Sequence, residues 1–303
     1  MTRVTQFRSA TIQIPASTSN LGSGFDTLGL ALKVYNRVRV TRANRRGVQL
    51  ISAVAETDRA GAVATLMEAA RHFFRRTKTA AFGIEVEVAS EFPVSRGLGF
   101  SATVRLGVIA GLNEISQAGL GHQGLLDLVT ELEGHPDNAS PAIFGGFTVS
   151  SILNGKVRCL PFPVSKDLKS ITLIPRFGIS TEKARALLPA QYTKADAAHA
   201  LNRTALITAA FAQRNYEALR GLFDDRIHQP YRAQLIPQLP RVIAAGEKAG
   251  AIGGFLSGSG SAIICLTLEN PDRVGLAMLR QLPDAEVKVF RAENRGFSVG
   301  DRA

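Results

Sequence analysis

Four loops of small and polar residues interrupt the chain, and their positions decide most of what it can fold into. The first is Pro15-Ala-Ser-Thr-Ser-Asn20-Leu-Gly22-Ser-Gly24-Phe-Asp26, and the second is Arg96-Gly97-Leu-Gly99-Phe-Ser101-Ala-Thr103. The third is Glu133-Gly134-His135-Pro136-Asp137-Asn138, and the fourth is Leu256-Ser-Gly258-Ser-Gly260-Ser261. Each puts small residues where a backbone must approach something closely. Two of them open onto helical patterns. Together they point to one site that holds phosphates, a cation and a small polar substrate.

The segments between the loops carry two periods. Residues 9–14, 34–40 and 82–88 alternate apolar and polar, which predicts half-buried strands, with a loop from 15 to Asp26. Residues 62–76, 101–117 and 123–133 read as helices, the last stopped by Gly134. Ser140-Pro141 reads as an N-cap followed by proline at the first helical position. Asn154-Gly155 between alternating segments predicts a hairpin over 148–160. From about Ser165 the pattern gives strands at 170–176, 251–256, 261–268 and 286–291. Helices are expected at 181–188, 195–213, 238–249 and 271–281. Strands and helices mix in both halves, so the expected class is α+β, with domains at 1–164 and 165–303.

Composition removes several functions. At 303 residues and 45% hydrophobic, the chain suits a globular protein. No apolar run approaches the roughly 20 residues that span a bilayer. The first eight residues lack the apolar core of a secretory leader, so a cytoplasmic protein is expected. The two cysteines, Cys159 and Cys265, each sit in an apolar strand-like run and read as reduced core residues. A net charge of +11 invites a nucleic-acid reading, but the basic residues are scattered, densest at Arg37–Arg46 and Arg71–Lys78. Without a nucleic-acid-binding motif they read as a solvated surface.

The loops carry the chemistry. Free amides at the start of the helix after Gly99, with the positive end of its dipole, form an anion site, and the Ser101 hydroxyl suits magnesium. An ordinary capped helix would read the same way. The sequence has neither a Walker-type loop nor a dinucleotide fingerprint. Asn20 and Asp26 suit a substrate with hydroxyl and ammonium groups, or simply an Asx turn. Glu133 closes its helix, where the dipole disfavours a carboxylate, so a partner such as a metal is expected, solvent being the alternative. His135 reads as a loop hydrogen-bonder; the histidine and cysteine spacings give no zinc site. Thr181 and Arg185 stand one turn apart on a helix, and Arg232 follows a turn. The two arginines fit capture of a carboxylate or phosphoryl group, or surface salt bridges.

In this order, the loops resemble the GHMP kinases, and among them the homoserine kinase family, over nearly the whole chain. Pro15–Leu30, Arg96–Thr103 and Leu256–Ser261 are similar to that superfamily's first, phosphate-loop and third motifs. Glu133–Phe147 is similar almost residue for residue, and Ile179–Leu188 and His228–Leu235 also match. The resemblance implies a ribosomal-protein-S5-like N-terminal domain and a ferredoxin-like C-terminal domain. It implies phosphorylation of L-homoserine by ATP with Mg2+, on the way to threonine. Asn20, Asp26, Asn138, Arg185 and Arg232 are the implied substrate contacts, with His135, Asp137, Thr181 and Gly258 beside them. Residues Arg96, Gly97, Leu98, Gly99, Phe100, Ser101, Ala102 and Thr103 are the implied nucleotide loop. Ser101 and Glu133 are the implied metal ligands, with Asn138 and Arg185 joining them in the catalytic set. A homodimer is compatible with the sequence but not required by it. The alternatives are a kinase of another small alcohol and a non-catalytic metabolite binder. Two residues depart from the family pattern: Phe100 replaces a serine, and Arg105 stands where a small or apolar residue is usual. Arg105 is open to a phosphate contact or to solvent.

Overall fold

The alternating segments at 34–40 and 82–88 become neighbouring strands in the computed structural model, which describes residues 7–52 and 56–303. The reading of the first residues as lacking a leader falls largely on residues 1–6, outside those described. In chain order the elements are β1 (Ser9–Ser19), β2 (Leu28–Ala43), β3 (Val48–Leu50), α1 (Glu56–Thr77), β4 (Gly83–Ser90), α2 (Phe100–Ser116), α3 (His122–Glu133) and α4 (Ala139–Phe144). The hairpin β5 (Phe147–Leu153) and β6 (Lys156–Phe162) follows, then β7 (Lys169–Ile174), α5 (Thr181–Ala186), α6 (Lys194–Gln213) and α7 (Gln229–Arg232). The chain ends with α8 (Leu239–Lys248), β8 (Gly253–Leu256), β9 (Ile263–Thr267), α9 (Pro271–Leu279), β10 (Glu286–Arg291) and β11 (Ser298–Arg302). The α+β class expected from the sequence is what the molecule shows.

The first sheet runs β11-β1-β2-β4-β3, and β5 joins the other end of the long β2 and pairs with β6. Only β3 and β4 run parallel, connected through α1. Helices α1–α4 cover one face. Helix α2 presses onto β2 through Gly107 and Gly111, where added Cβ atoms would meet Val38 and Val40 at 2.5 Å. The second sheet, β10-β7-β9-β8, is antiparallel throughout. With α8 and α9 it makes the order β7-α8-β8-β9-α9-β10, the split βαβ arrangement of a ferredoxin-like unit. Both of its faces are covered, so β9 is buried at every residue and reads as an unbroken apolar run. A shared core joins the sheets: Leu28 and Leu30 of β2 meet Phe255, Ile264 and Leu266, and Phe147 stacks on Phe211 of α6 at 4.0 Å.

Three local expectations change. The strand read at 9–14 continues to Ser19, because Pro15–Ser19 keep pairing with β2 across a bulge at Pro15/Ala16. Ser140 does not cap α4: Asn138 holds the N-cap position, and the Ser140 hydroxyl accepts from Ser150 Oγ at 2.8 Å. Strand β11 was not foreseen; the chain leaves the first sheet after Phe162, touches it again through a single bridge from Ala292 to Leu32, and rejoins it as a strand at Ser298. The hairpin turn forms as expected, with Asn154 and Gly155 left-handed. Cys265 is buried, while Cys159 is half-buried, and both thiols are free. No helix among the described residues is long and apolar enough to cross a membrane.

The glycine loops pack backbone against backbone. Gly97 has φ +73°, and a Cβ there would lie 2.0 Å from the Ser257 carbonyl oxygen. Gly97→Ala should therefore lower unfolding free energy by roughly 2–4 kcal/mol. Gly61→Ala, in an exposed turn of α1 with open space around it, should raise it by about 0.5–1 kcal/mol. Urea unfolding of both variants tests this, and equal small effects would refute the packing argument.

Candidate active site

The four loops converge on one cleft of about 1050 Å³. Its floor is the start of α2. Gly99, left-handed at φ 71°, turns the chain into the helix, and no side chain among the described residues caps that start. The first amides of α2 therefore have no partner inside the helix, and with the positive end of its dipole they can take an anion. One end of the cleft is apolar, lined by Leu50, Ala62, Leu66, Val88, Pro93 and Val94. The other end is polar and charged, lined by Asp26, His135, Asp137, Asn138, Arg185 and Arg232.

Most of the site residues expected from the sequence line the cleft, Gly97, Gly99, Phe100 and Ala102 of the nucleotide loop among them. Asn20, Asp26, His135, Asp137, Asn138, Thr181, Arg185, Arg232, Gly258, Ser101 and Glu133 all line the cleft. Arg96 lines it too, but its guanidinium donates to the backbone carbonyls of Val94, Pro175 and Arg176, which ties the loop before α5 to the loop before α2. Leu98 and Thr103 turn away. Leu98 is buried in the shared core, and Thr103 Oγ1 donates to Phe100 O at 2.7 Å and accepts from Asn36 Nδ2 at 2.7 Å. Phe100 is half-buried, edge-on to Phe92, and touches both the first-sheet core and the shared core.

Asn138 is locked. Its Oδ1 accepts from Ser17 Oγ at 3.0 Å, and its Nδ2 donates to Ser19 Oγ at 3.0 Å. Ser17 and Ser19 share one face of β1 and were missed because the strand was expected to end sooner. The signal was present as the hydroxyl run Ser17-Thr18-Ser19, whose first and third members a strand's period of two puts on one face. Asn20 is engaged as well: Nδ2 donates to Gly258 O at 3.2 Å, and Oδ1 accepts from the Asp26 amide at 3.1 Å.

The charges are arranged in pairs. Arg185 grips Asp26 in two parallel hydrogen bonds of 2.6 and 3.1 Å. Phe25 lies beneath both arginines, 5.3 Å from Arg185 and 5.4 Å from Arg232, a cation–π contact that no motif announced. Arg232 is 2% exposed. Its Nη1 donates to Gly258 O at 2.8 Å and to His228 Nδ1 at 3.2 Å, while Nε has no partner in the protein among the described residues. Burial, then the like charge of Arg185, pushes its pKa down to about 10, so it stays cationic at neutral pH. His228 is fully buried, and burial lowers its pKa; the neutral ring fits a donor role to Gly22 O and an acceptor role to Arg232.

His135 Nδ1 and Asp137 Oδ1 lie 2.5 Å apart. Burial works against charge on His135, but the hydrogen bond and charge of Asp137, helped by Asp26, raise its pKa above the ordinary value. Burial also works against charge on Asp137, and the His135 contact more than offsets this, so its pKa falls. Glu133, 10% exposed, accepts from Ser101 Oγ at 2.7 Å and from Arg105 Nη1 at 2.5 Å, both on Oε1. Arg105 is thus turned toward Glu133 rather than out to solvent, and its Nη2 donates to Glu68 Oε2 at 2.9 Å.

The raised pKa of His135 has a pH signature. Its charge-dependent stability is fully present below the unfolded value of 6.5 and is lost as pH rises through the folded pKa. The contribution of Asp137 is present above its unfolded 3.8 and is lost as pH falls through its lower folded pKa. The destabilisation caused by His135→Gln should therefore shrink between about pH 6 and about pH 9. Urea unfolding at both pH values checks it; a constant or growing difference would exclude the charged pair.

Residues 64–146 match the family model of the GHMP kinases N terminal domain, and residues 207–284 match the GHMP kinases C terminal model. A homoserine kinase of Moorella thermoacetica is 36% identical over 267 residues, 88% of this chain and 90% of its own. A homoserine kinase of Deinococcus radiodurans is 39% identical over 262 residues, 85% of this chain and 84% of its own. The crystal structure of a homoserine kinase from Cytophaga hutchinsonii matches with a TM-score of 0.87 at 25% identity, over 99% of this chain and 100% of that one.

Proposed function

Because the chain belongs to the GHMP kinases, in their homoserine kinase family, we propose that it transfers the terminal phosphoryl group of ATP to the hydroxyl of L-homoserine. The product is O-phospho-L-homoserine, and the same reading puts the reaction in the cytoplasm, on the way to threonine. One observation carries it: an acidic group and two guanidiniums meet at the polar end of a cleft whose floor is an uncapped, glycine-led helix start.

In this reading residues 1–164 hold the nucleotide and residues 165–303 supply both arginines. The purine takes the apolar end, and the phosphates lie over the α2 amides from Gly97 to Ala102. Asp26 receives the ammonium of homoserine, and Arg185 and Arg232 its carboxylate, in the geometry guanidinium forks favour. Asn138 orients the hydroxyl. The donors Ser101 and Glu133 suit magnesium, being a hydroxyl and a carboxylate 2.7 Å apart beside the phosphate floor. Magnesium held there would neutralise charge on the transferred group.

Among the described residues, no side chain at the polar end of the cleft stands ready as a strong general base. Asn138 is an amide, and both oxygens of Asp26 already accept from Arg185. Asp137 is held by His135, whose charge it favours. Positioning and electrostatic stabilisation then carry the rate, as is usual for phosphoryl transfer.

An ADP-release assay over a panel of small alcohols tests the function. Homoserine should turn over faster than mevalonate or galactose, which lack an ammonium; faster turnover of an uncharged sugar refutes the assignment. Asp26→Asn should raise the homoserine KM more than it lowers kcat. A collapse of kcat at unchanged KM would make Asp26 the base. Glu133→Gln should cut kcat/KM by about 100-fold or more, equivalent to ~2.7 kcal/mol of transition-state stabilisation. A folded Glu133→Gln protein with near-normal activity would move the metal elsewhere.

A further inference from the structure

Arg105 is one of the two residues that depart from the family pattern, and the structure puts it against the carboxylate that would hold the metal. It follows Ser101 by one turn on α2, so both side chains rise on one face. Both reach the same oxygen, Glu133 Oε1. The guanidinium is 16% exposed and is held from the far side by Glu68 of α1. Its Nε has no partner among the described residues. Helices α1, α2 and α3 thus meet at a Glu68–Arg105–Glu133 triad, with the cation in the middle.

We propose that Arg105 is a positioning residue that acts as a built-in counter-cation for Glu133. It fixes the carboxylate beside the phosphate floor, and it keeps Glu133 from taking up a divalent cation alone. The proposal rests on the reading of Ser101 and Glu133 as the metal ligands. Two positive centres cannot share one carboxylate oxygen without repulsion, and at a few ångströms in a half-buried site that repulsion is large. Oε1 is taken by Arg105 and Ser101, so only Oε2 is left for an ion. A metal gains less from such a site than from a free carboxylate. Phosphate oxygens on the α2 amides would supply the missing negative charge, so the ion is admitted only together with the nucleotide. This differs from a purely structural tie between three helices, which would change stability and leave metal affinity alone.

Manganese serves as the probe, because it takes hard oxygen ligands as magnesium does and its free form is counted by electron paramagnetic resonance. Without nucleotide, Arg105→Met should bind Mn2+ about tenfold or more tightly than the wild-type protein, since Glu133 and Glu68 lose their shared cation. Arg105→Lys should stay near wild type. Arg105→Gln, which keeps an amide donor but no charge, should follow Arg105→Met and replaces it if that variant fails to fold. The added affinity should vanish in the Arg105→Met/Glu133→Gln double variant. Unchanged Mn2+ affinity in both uncharged variants overturns the proposal, as does a gain that survives Glu133→Gln. The metal reading itself is tested by Mn2+ binding in the presence of a non-hydrolysable ATP analogue. There Glu133→Gln alone should weaken capture by about tenfold. No weakening removes Glu133 from the metal site and the proposal with it. Weakening without a gain in the Arg105 variants leaves the metal site standing and reduces Arg105 to a structural tie.

Discussion

The site depends on two backbone contacts that leave no room for a side chain. A Cβ on Gly97 would lie 2.0 Å from Ser257 O, and one on Gly99 would lie 2.2 Å from Ser17 Oγ. The first loop, the start of α2 and the β8–β9 loop therefore interleave closely, main chain against main chain at Gly97 and main chain against a serine hydroxyl at Gly99. Side-chain hydroxyls then fasten them: Ser257 Oγ to Gly97 O at 2.6 Å and to Thr18 Oγ1 at 2.8 Å. Main-chain bonds complete the join, with Ser17 N donating to Leu98 O and Ala262 N to Arg96 O. Residues far apart in sequence are thus held as one body, and groups from both sheets can face one cleft with fixed spacing. Preorganisation of this kind is what positioning catalysis requires.

Much of this was readable because periodicity and turn chemistry are local. Asn154-Gly155, Gly134 and the alternation at 34–40 each state their structure within a few residues. The misses share a different cause. Strands β3 and β11 are short and half-polar and exist only because a remote partner offers an edge. Pro15–Ser19 look like loop residues, and only pairing with β2 makes them a strand. Asn138 takes the cap position from Ser140 because the Ser140 hydroxyl is held by the remote hairpin residue Ser150. At the site, residue types announced the chemistry, and the resemblance gathered the loops. The pairing of Asp26 with Arg185, and of Glu133 with Arg105, was not legible, because partner choice among charges is set by the tertiary distance.

The glycines carry a double load for the same reason. In sequence, Gly97 and Gly99 suggest room for phosphate oxygens. In the structure, their missing side chains also make room for Ser257 and Ser17. Both readings rest on close approach of a backbone, and the sequence alone does not say whether the visitor is a ligand or the protein itself.

The charges at the polar end set what kind of molecule can bind. Asp26 and Arg185 already meet each other's charge, and Asp137 is bonded to His135, so a substrate enters by exchanging partners rather than by filling a site of one sign. Separating this pair without replacing either partner leaves two uncompensated charges, a cost that solvent reduces but does not remove, since the Arg185 and Asp26 side chains are 35% and 33% exposed. A neutral alcohol would leave that cost unmet. A zwitterion brings one charge of each sign and can replace both sides of the Asp26–Arg185 bond at once. Arg232 then breaks the symmetry. It is buried in the cleft, and its Nε has no partner among the described residues, so in the proposed reading the carboxylate would have a donor on one side before Arg185 lets go of Asp26. In the proposed reaction the amino acid's two charged ends would be oriented by the order in which their partners become available, and its side-chain hydroxyl would be left to face Asn138 and the first amides of α2.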